Sequence, residues 1–305
     1  MITAAQIKNA RQPESIFTRD SIEREYKQLV KQFHPDIGGD TDVFKNLVSL
    51  YNLGLSKISS NTWGIISLER SAFSDDAGAV YKRKNHNIQL YFTGTEDRLN
   101  LTADFLKQTQ SIDDIKRYSN YTHSKEEVVI RTNKQEALVL TLPLTAYHFH
   151  SKIITQQFPK GLPDIHLAWI GSRLFEYCAL LEHHGFSHCG LNPNTIFIIP
   201  ENHGIYVTSF YHAGPSGSKL TTISANYKNW YPASTFVKKT RGAFIDIELA
   251  KQCLISINKN PIDPKMNKFL KQFHSSAKDC FIEYRELLES LYGKPTFHKL
   301  EIQEK

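Results

Sequence analysis

The residues of this sequence that could do chemistry gather at two places. The first is His34-Pro35-Asp36, an imidazole and a carboxylate separated by a proline, directly after a basic run that carries Arg24, Lys27 and Lys31. Lys27 and Lys31 offer positive charge to an acidic surface, a contact steered by long-range attraction and weakened by salt. The second is His183, His184, His188 and Cys189, with His203 and His212 further on. Such a set suggests zinc, but zinc needs ligands that converge at fixed spacing, and this spacing has no such pattern. Cys189 beside His188 suggests a thiol nucleophile with its base, but adjacent residues on an extended segment point apart. The basic run Lys82-Arg83-Lys84 suggests a nucleic-acid contact, although three such residues in a turn are ordinarily solvated. No metal and no cofactor is expected from these groups.

A helix positions the first group. Apolar residues at Ile22, Tyr26, Leu29 and Phe33 are spaced four, three and four, which is one helical face. Arg24, Lys27 and Lys31 form a second, charged face. Asp20 with Glu23 three later makes a capping-box-like start. Pro35 has no N–H and pushes His34 out of α geometry, so the helix ends there. Ile37-Gly38-Gly39-Asp40 reads as a loop. A second helix is predicted from about Thr41, with Phe44, Leu47, Tyr51 and Leu55 on its apolar face. Residues 1–17 read as a short helix and an irregular segment. Two antiparallel helices joined by a short loop bury these stripes against each other.

Through Tyr26, Leu29, Lys31, the intact His34-Pro35-Asp36, Phe44 and Tyr51, residues 4–58 resemble the J-domain, the module that stimulates the ATPase of DnaK-type chaperones. The resemblance implies that Arg24, Lys27, Lys31, His34, Pro35 and Asp36 bind the chaperone, with the last three required for stimulation. Glu25 departs from it, standing where the family has a small residue.

Residues 59–75 are polar and read as a linker, with Trp63 and Ile65-Ile66 as partial structure. Ala79-Val80-Tyr81 and Ile88–Phe92 suggest a hairpin, with Lys82 at the start of its turn. Leu99–Gln108 reads as a helix, and Glu127–Arg131 and Ala137–Leu142 as strands. A long helix is predicted over Asp164–His184, capped by Asp164 and stopped at Gly185. The aromatic stretches Tyr147-His148-Phe149 and Asn229-Trp230-Tyr231 read mainly as core.

After that helix, His188-Cys189-Gly190-Leu191-Asn192-Pro193-Asn194-Thr195-Ile196-Phe197 resembles the protein-kinase catalytic loop, His-Arg-Asp-Leu-Lys-Pro-Glu-Asn-Ile-Leu. Ser209-Phe210-Tyr211 stands where kinases carry Asp-Phe-Gly, and Trp230–Ser234 where they carry Ala-Pro-Glu. Asp246 stands on a helix whose aspartate anchors the catalytic-loop backbone in kinases. The end, Tyr284–Phe297, fits the closing helix. The resemblance covers about residues 76–300 and implies a two-lobed kinase-like fold. Its chemistry is missing at every aligned position. Gly190 replaces the proton-accepting aspartate, and Thr195 and Ser209 replace the two magnesium ligands. Tyr91 or Phe92 falls at the strand lysine, and Thr102 or Ala103 near its glutamate partner. No Gly-x-Gly-x-x-Gly loop precedes the strands. His188 and Asp246 remain as scaffold. The resemblance therefore implies a pseudokinase without phosphotransfer.

The expected fold is α+β and multidomain: an N-terminal helical J-domain (1–58), a linker (59–75), a kinase-like small lobe (76–145) and a helical large lobe (146–305). At 305 residues the chain can bury a large core. It has no run of eighteen apolar residues and no secretory signal in its N-terminal residues, so neither a membrane span nor a leader is expected. Cys178, Cys189, Cys253 and Cys280 are scattered, which fits reduced thiols in a cytoplasm. The net charge of +6 mildly favours acidic partners and reads as too diffuse to indicate nucleic acid. The expected partners are a DnaK-type chaperone and an unidentified client protein. The alternatives are retained nucleotide binding, atypical phosphotransfer, or a scaffold. The combined resemblance implies a bacterial or phage-type protein.

Overall fold

In the computed structural model, residues 2–302 are described apart from 11–12, 19–20, 55–56, 61–63, 68–70, 75–77, 84–85, 93–95, 131–132, 144–145, 149–153, 155–156 and 259–262. The chain divides into two compact units, Met1–Glu96 with Thr122–Pro143, and Asp97–Tyr121 with Leu144–Lys305. No helix among the described residues is long and apolar enough to cross a membrane.

The first unit begins with three α-helices, α1 (Ala4–Asn9), α2 (Ile22–Phe33) and α3 (Thr41–Gly54). Ile22 and Leu29 of α2 are buried together with Ile7, Val43, Leu47 and Leu50, and Tyr26, Phe33 and Tyr51 pack against them. Leu55 lies outside the described residues. Tyr26 and Tyr51 stack at 3.8 Å. Buried Asn46 donates through Nδ2 to the carbonyls of Ile7 (2.6 Å) and Ala10 (3.0 Å), tying α3 to the end of α1. The N-cap of α2 is Ser21, whose side chain makes no cap bond. Asp20, expected to cap it, lies outside the described residues. Glu25 instead accepts from the N–H of Thr18 (2.7 Å) and from the hydroxyl of Ser21, tying the preceding loop to the helix.

Seven strands follow: β1 (Lys57–Ser60), β2 (Gly64–Ser67), β3 (Ser71–Ser74), β4 (Gly78–Arg83), β5 (His86–Phe92), β6 (Thr122–Ile130) and β7 (Asn133–Pro143). They form one antiparallel sheet in the order β2-β1-β6-β7-β5-β4-β3. Leu140 and Leu142 of β7, two apart and so on one face, are fully buried. The segment expected as a linker, 59–75, thus carries strand. Short Ser-rich stretches hide this in the sequence, and β1 is held by pairing Ile58 with Val128 of β6. Lys82, expected at the start of the turn, belongs to β4 and pairs with Asn87. Strand β7 already begins at Asn133, ahead of the expected Ala137, with Asn133 paired to Ile130 and Lys134 to Val129 of β6.

The second unit is mainly helical: α4 (Glu96–Thr109), α5 (Asp113–Lys116), α6 (Asp164–His183), α7 (Ala233–Lys238), α8 (Ala243–Ile257), α9 (Pro264–Lys271) and α10 (Ala277–Tyr292). Its small strands are β8 (Tyr147–His148), β9 (Phe186–Ser187), β10 (Ile196–Ile199), β11 (Gly204–Val207) and β12 (Gly214–Pro215). Helices α6 and α8 are apolar around most of their circumference, as helices at the centre of a core must be. The N-cap of α6 is Pro163, not Asp164, which sits in the first turn where its charge suits the helix dipole. The closing helix α10 ends at Tyr292, and residues 294–302 are irregular although the closing helix was expected to reach Phe297.

Candidate functional site

The end of α2 builds a compact turn. The N–H groups of Ile37 and Gly39 both reach the carbonyl of His34, at 3.1 Å each. His34 Nδ1 accepts from the N–H of Asp36 (3.2 Å), and its ring packs edge-on against Phe44 at 4.6 Å. The turn can close only at a glycine: a β-carbon on Gly39 would stand 2.2 Å from the carbonyl oxygen of Phe33. Asp36 is left with its side chain 85% exposed. Arg24, Lys27 and Lys31 are exposed on α2. Asp40 then caps α3 through the N–H groups of Asp42 (2.8 Å) and Val43 (2.9 Å), which hold its carboxyl below the usual range.

In the second unit, Asp246 of α8 is 1% exposed and accepts two backbone bonds, from His188 N–H at Oδ2 (2.8 Å) and Cys189 N–H at Oδ1 (2.6 Å). A single carboxylate thereby fixes two consecutive peptides, and Cys189 takes the left-handed φ of 56° that lets both point inward. Burial pushes Asp246 up to about 7 despite these donors. His188 is fully buried, and burial pushes it down to about 4. Its Nδ1 accepts from Gly190 N–H (3.2 Å), so Nε2 carries the proton and donates to Thr208 O (3.0 Å). Its ring also packs on Phe210, which stacks on Phe105 of α4 at 4.9 Å.

The residues after His188 form a closed loop. The Thr195 hydroxyl accepts from Asn192 N–H (3.0 Å), donates to Asn192 O (2.9 Å), and is buried. Asn192 bridges Gly190 O and Asn194 N–H. Tyr231 donates to Cys189 O at 2.9 Å. Ser209 is 1% exposed with a left-handed φ of 66° and leads into the buried Phe210, Tyr211 and His212. Gly190 lies under His212, and a β-carbon there would meet His212 Cδ2 at 2.6 Å. His212 is held from two sides, by Thr222 Oγ1 at Nδ1 (2.9 Å) and by Arg241 Nε at its carbonyl (2.8 Å).

His188, Gly190, Thr195, Ser209 and Asp246 are thus brought into one buried neighbourhood. Thr102 of α4 is buried, its hydroxyl without a hydrogen-bond partner among the described residues, and Ala103 is half-buried. Tyr91 and Phe92 pair along the backbone with Leu138 and Ala137. The histidines do not converge: His203 is stacked between Trp169 and Phe297, His183 is exposed, and no cluster among the described residues could hold a metal. Cys189 is buried, which pushes its thiol well above the usual range and leaves it a poor nucleophile. The sequence offered His212 only as a member of a possible metal set and Tyr231 mainly as core, and it gave Phe105 no role.

No family model matches the sequence, and no curated protein matches it. Among solved structures, the chain is similar to vaccinia related kinase 3, at 14% identity and a TM-score of 0.53, over 77% of this chain and 90% of that one. It is similar to the BubR1 kinase domain at 6% identity and a TM-score of 0.54, over 76% and 83%. A rhoptry kinase from Toxoplasma gondii gives 14% and 0.51, over 78% and 84%. At these identities the likeness is one of fold alone. Over 76–78% of its length, this chain carries the protein-kinase fold.

Proposed function

We propose that the chain is a co-chaperone of the J-domain type, whose kinase-like body performs no phosphotransfer and binds a client or partner protein. The N-terminal helices would recruit a DnaK-type chaperone through Arg24, Lys27 and Lys31, and His34, Pro35 and Asp36 would trigger its ATP hydrolysis. The carrying observation is the turn after α2, where Asp36 stands exposed beside a basic helical face while the backbone behind it is fixed. The inactive reading of the body rests on chemistry. Phosphoryl transfer needs a proton acceptor and two anionic or amide metal ligands. Gly190 has no side chain, and the Thr195 hydroxyl is committed to Asn192 in both directions. In a steady-state assay the purified chain accelerates ATP hydrolysis by a DnaK-type chaperone, and His34→Gln does not. Equal rates for the two proteins would end the co-chaperone reading.

A second reading, nucleotide-dependent switching or atypical phosphotransfer, has one observation in its favour: the Asp246–His188 anchor is assembled in full. Thermal denaturation with ATP, with and without magnesium, and a phosphate-transfer assay decide it. A rise in Tm with ATP, or phosphate transfer, supports that reading, and an unchanged Tm together with no phosphate transfer removes it.

A further inference from the structure

The net charge is not spread evenly along the chain. Between Glu201 and Asp246 there is no Asp or Glu, while Lys219, Lys228, Lys238, Lys239 and Arg241 fall there. Against a net charge of +6, these five leave the remainder of the chain close to neutral. Arg241 is buried and spent on His212 O, Ser218 Oγ and Lys219 O. The four lysines are exposed, and among the described residues none forms an ion pair.

They gather around α7. Lys238 ends that helix, and Lys239 is its C-cap with a left-handed φ of 51°, a position that glycine would take with less strain. Lys219 is bridged to Thr240, and Leu220 N–H reaches Lys239 O at 2.8 Å, which brings the third lysine alongside. The Nζ of Lys228 lies 6.0 Å from the ring centroid of Phe236 on α7. Among these lysines, Phe236 is 41% and Val237 84% exposed. Thr235, one residue before them, is buried and turns the inner face of α7 to the core.

We infer that the outer face of α7, with Phe236 and Val237 ringed by Lys219, Lys228, Lys238 and Lys239, docks an acidic protein segment that carries apolar side chains. This rests on the reading of the kinase-like body as partner-binding, and it specifies the surface and the partner's chemistry. Carboxylates answer the lysines, and an apolar side chain removes Val237 from water. A nucleic acid fits less well. It would use aromatic faces for stacking, but Lys228 covers the ring of Phe236, and Tyr227 and Trp230 pack on each other at 4.6 Å.

The test is fluorescence anisotropy on the full chain with three labelled probes: a short Glu/Leu peptide, a Glu/Ser peptide of equal charge, and a thymidine oligonucleotide of equal charge. The Glu/Leu peptide binds tightest, and added salt weakens it. Lys228→Glu with Lys238→Glu lowers its affinity about tenfold or more, as expected for reversing charges at a docking rim. Val237→Ser weakens the Glu/Leu peptide and leaves the Glu/Ser peptide unchanged. All substituted side chains are exposed, so thermal denaturation of the variants matches the parent. Three results would overturn the inference: no binding, equal binding by parent and variants, or preference for the oligonucleotide. Chaperone stimulation is scored separately through Asp36, so loss of stimulation with peptide binding intact removes the co-chaperone function and leaves this surface standing.

Discussion

Gly190 and His212 occupy one space: a β-carbon on the glycine would lie 2.6 Å from Cδ2 and 3.3 Å from Cβ of the histidine. His212 is not loose, since Thr222 and Arg241 hold it. Gly190→Ala therefore costs about 1–3 kcal/mol, the usual range for overpacking a filled site. In a His212→Ala background the same substitution costs less, because the obstructing ring is gone. Urea denaturation of the four proteins gives the coupling, and strictly additive costs would refute the shared space. Gly190→Asp restores no phosphate transfer on the account proposed here.

Burial sets two titrations against each other beside that loop. His188 is pushed down to about 4 from 6.5, so the unfolded chain binds its proton more tightly. Its contribution to stability is present above pH 6.5 and lost as pH falls toward 4. Asp246 is pushed up to about 7 from 3.8, so its contribution is present below pH 3.8 and lost as pH rises through 7. Removing His188 removes one side of this balance. The destabilisation caused by His188→Gln is then largest above pH 6.5 and shrinks toward pH 4. A penalty that does not vary with pH would mean His188 is not held neutral.

The same physics decides what could be read from the sequence. The α2 face was legible because Ile22, Tyr26, Leu29 and Phe33 repeat at the helical period, and the core takes that face. Asp246 was legible only through the kinase resemblance, which puts an anchoring aspartate inside Phe244–Ala250, and its two backbone bonds satisfy that buried acid. Strands β1 to β3 were not. Each is four residues long, too short to show alternation, and β1 is fixed by β6 far along the chain. The His212 ring over Gly190 was equally hidden, because nothing local marks a histidine that fills a gap left by a missing side chain. The clustering of four lysines around α7 needed the Lys219–Thr240 bridge to become visible.

Burial also settles the cysteines. Cys178, Cys189, Cys253 and Cys280 are all buried and free, and desolvation raises each thiol, Cys280 to about 12. An aromatic disulfide reagent at pH 8 labels none of them in the folded protein within minutes, and all four after denaturation. Fast labelling of one thiol in the folded chain would show an accessible site.

The turn after α2 makes its own prediction through Gly39. Its absent β-carbon is what lets the chain pass the carbonyls of Phe33 (2.2 Å) and His34 (2.9 Å). Gly39→Ala is expected to abolish chaperone stimulation although His34, Pro35 and Asp36 are untouched. Gly38→Ala, in open space at a φ of +89°, carries only the left-handed strain of about 1–2 kcal/mol and keeps most of the stimulation. Equal activity of the two variants would contradict a role for the turn's geometry.

Single-turnover ATP hydrolysis by a DnaK-type chaperone, measured with the full chain and with Asp36→Asn, tests the co-chaperone role. Asp36 is exposed, so the substitution changes its charge and leaves the fold in place. Stimulation by the parent chain that disappears with Asp36→Asn is the predicted result. Stimulation by neither protein, or by both alike, would contradict it.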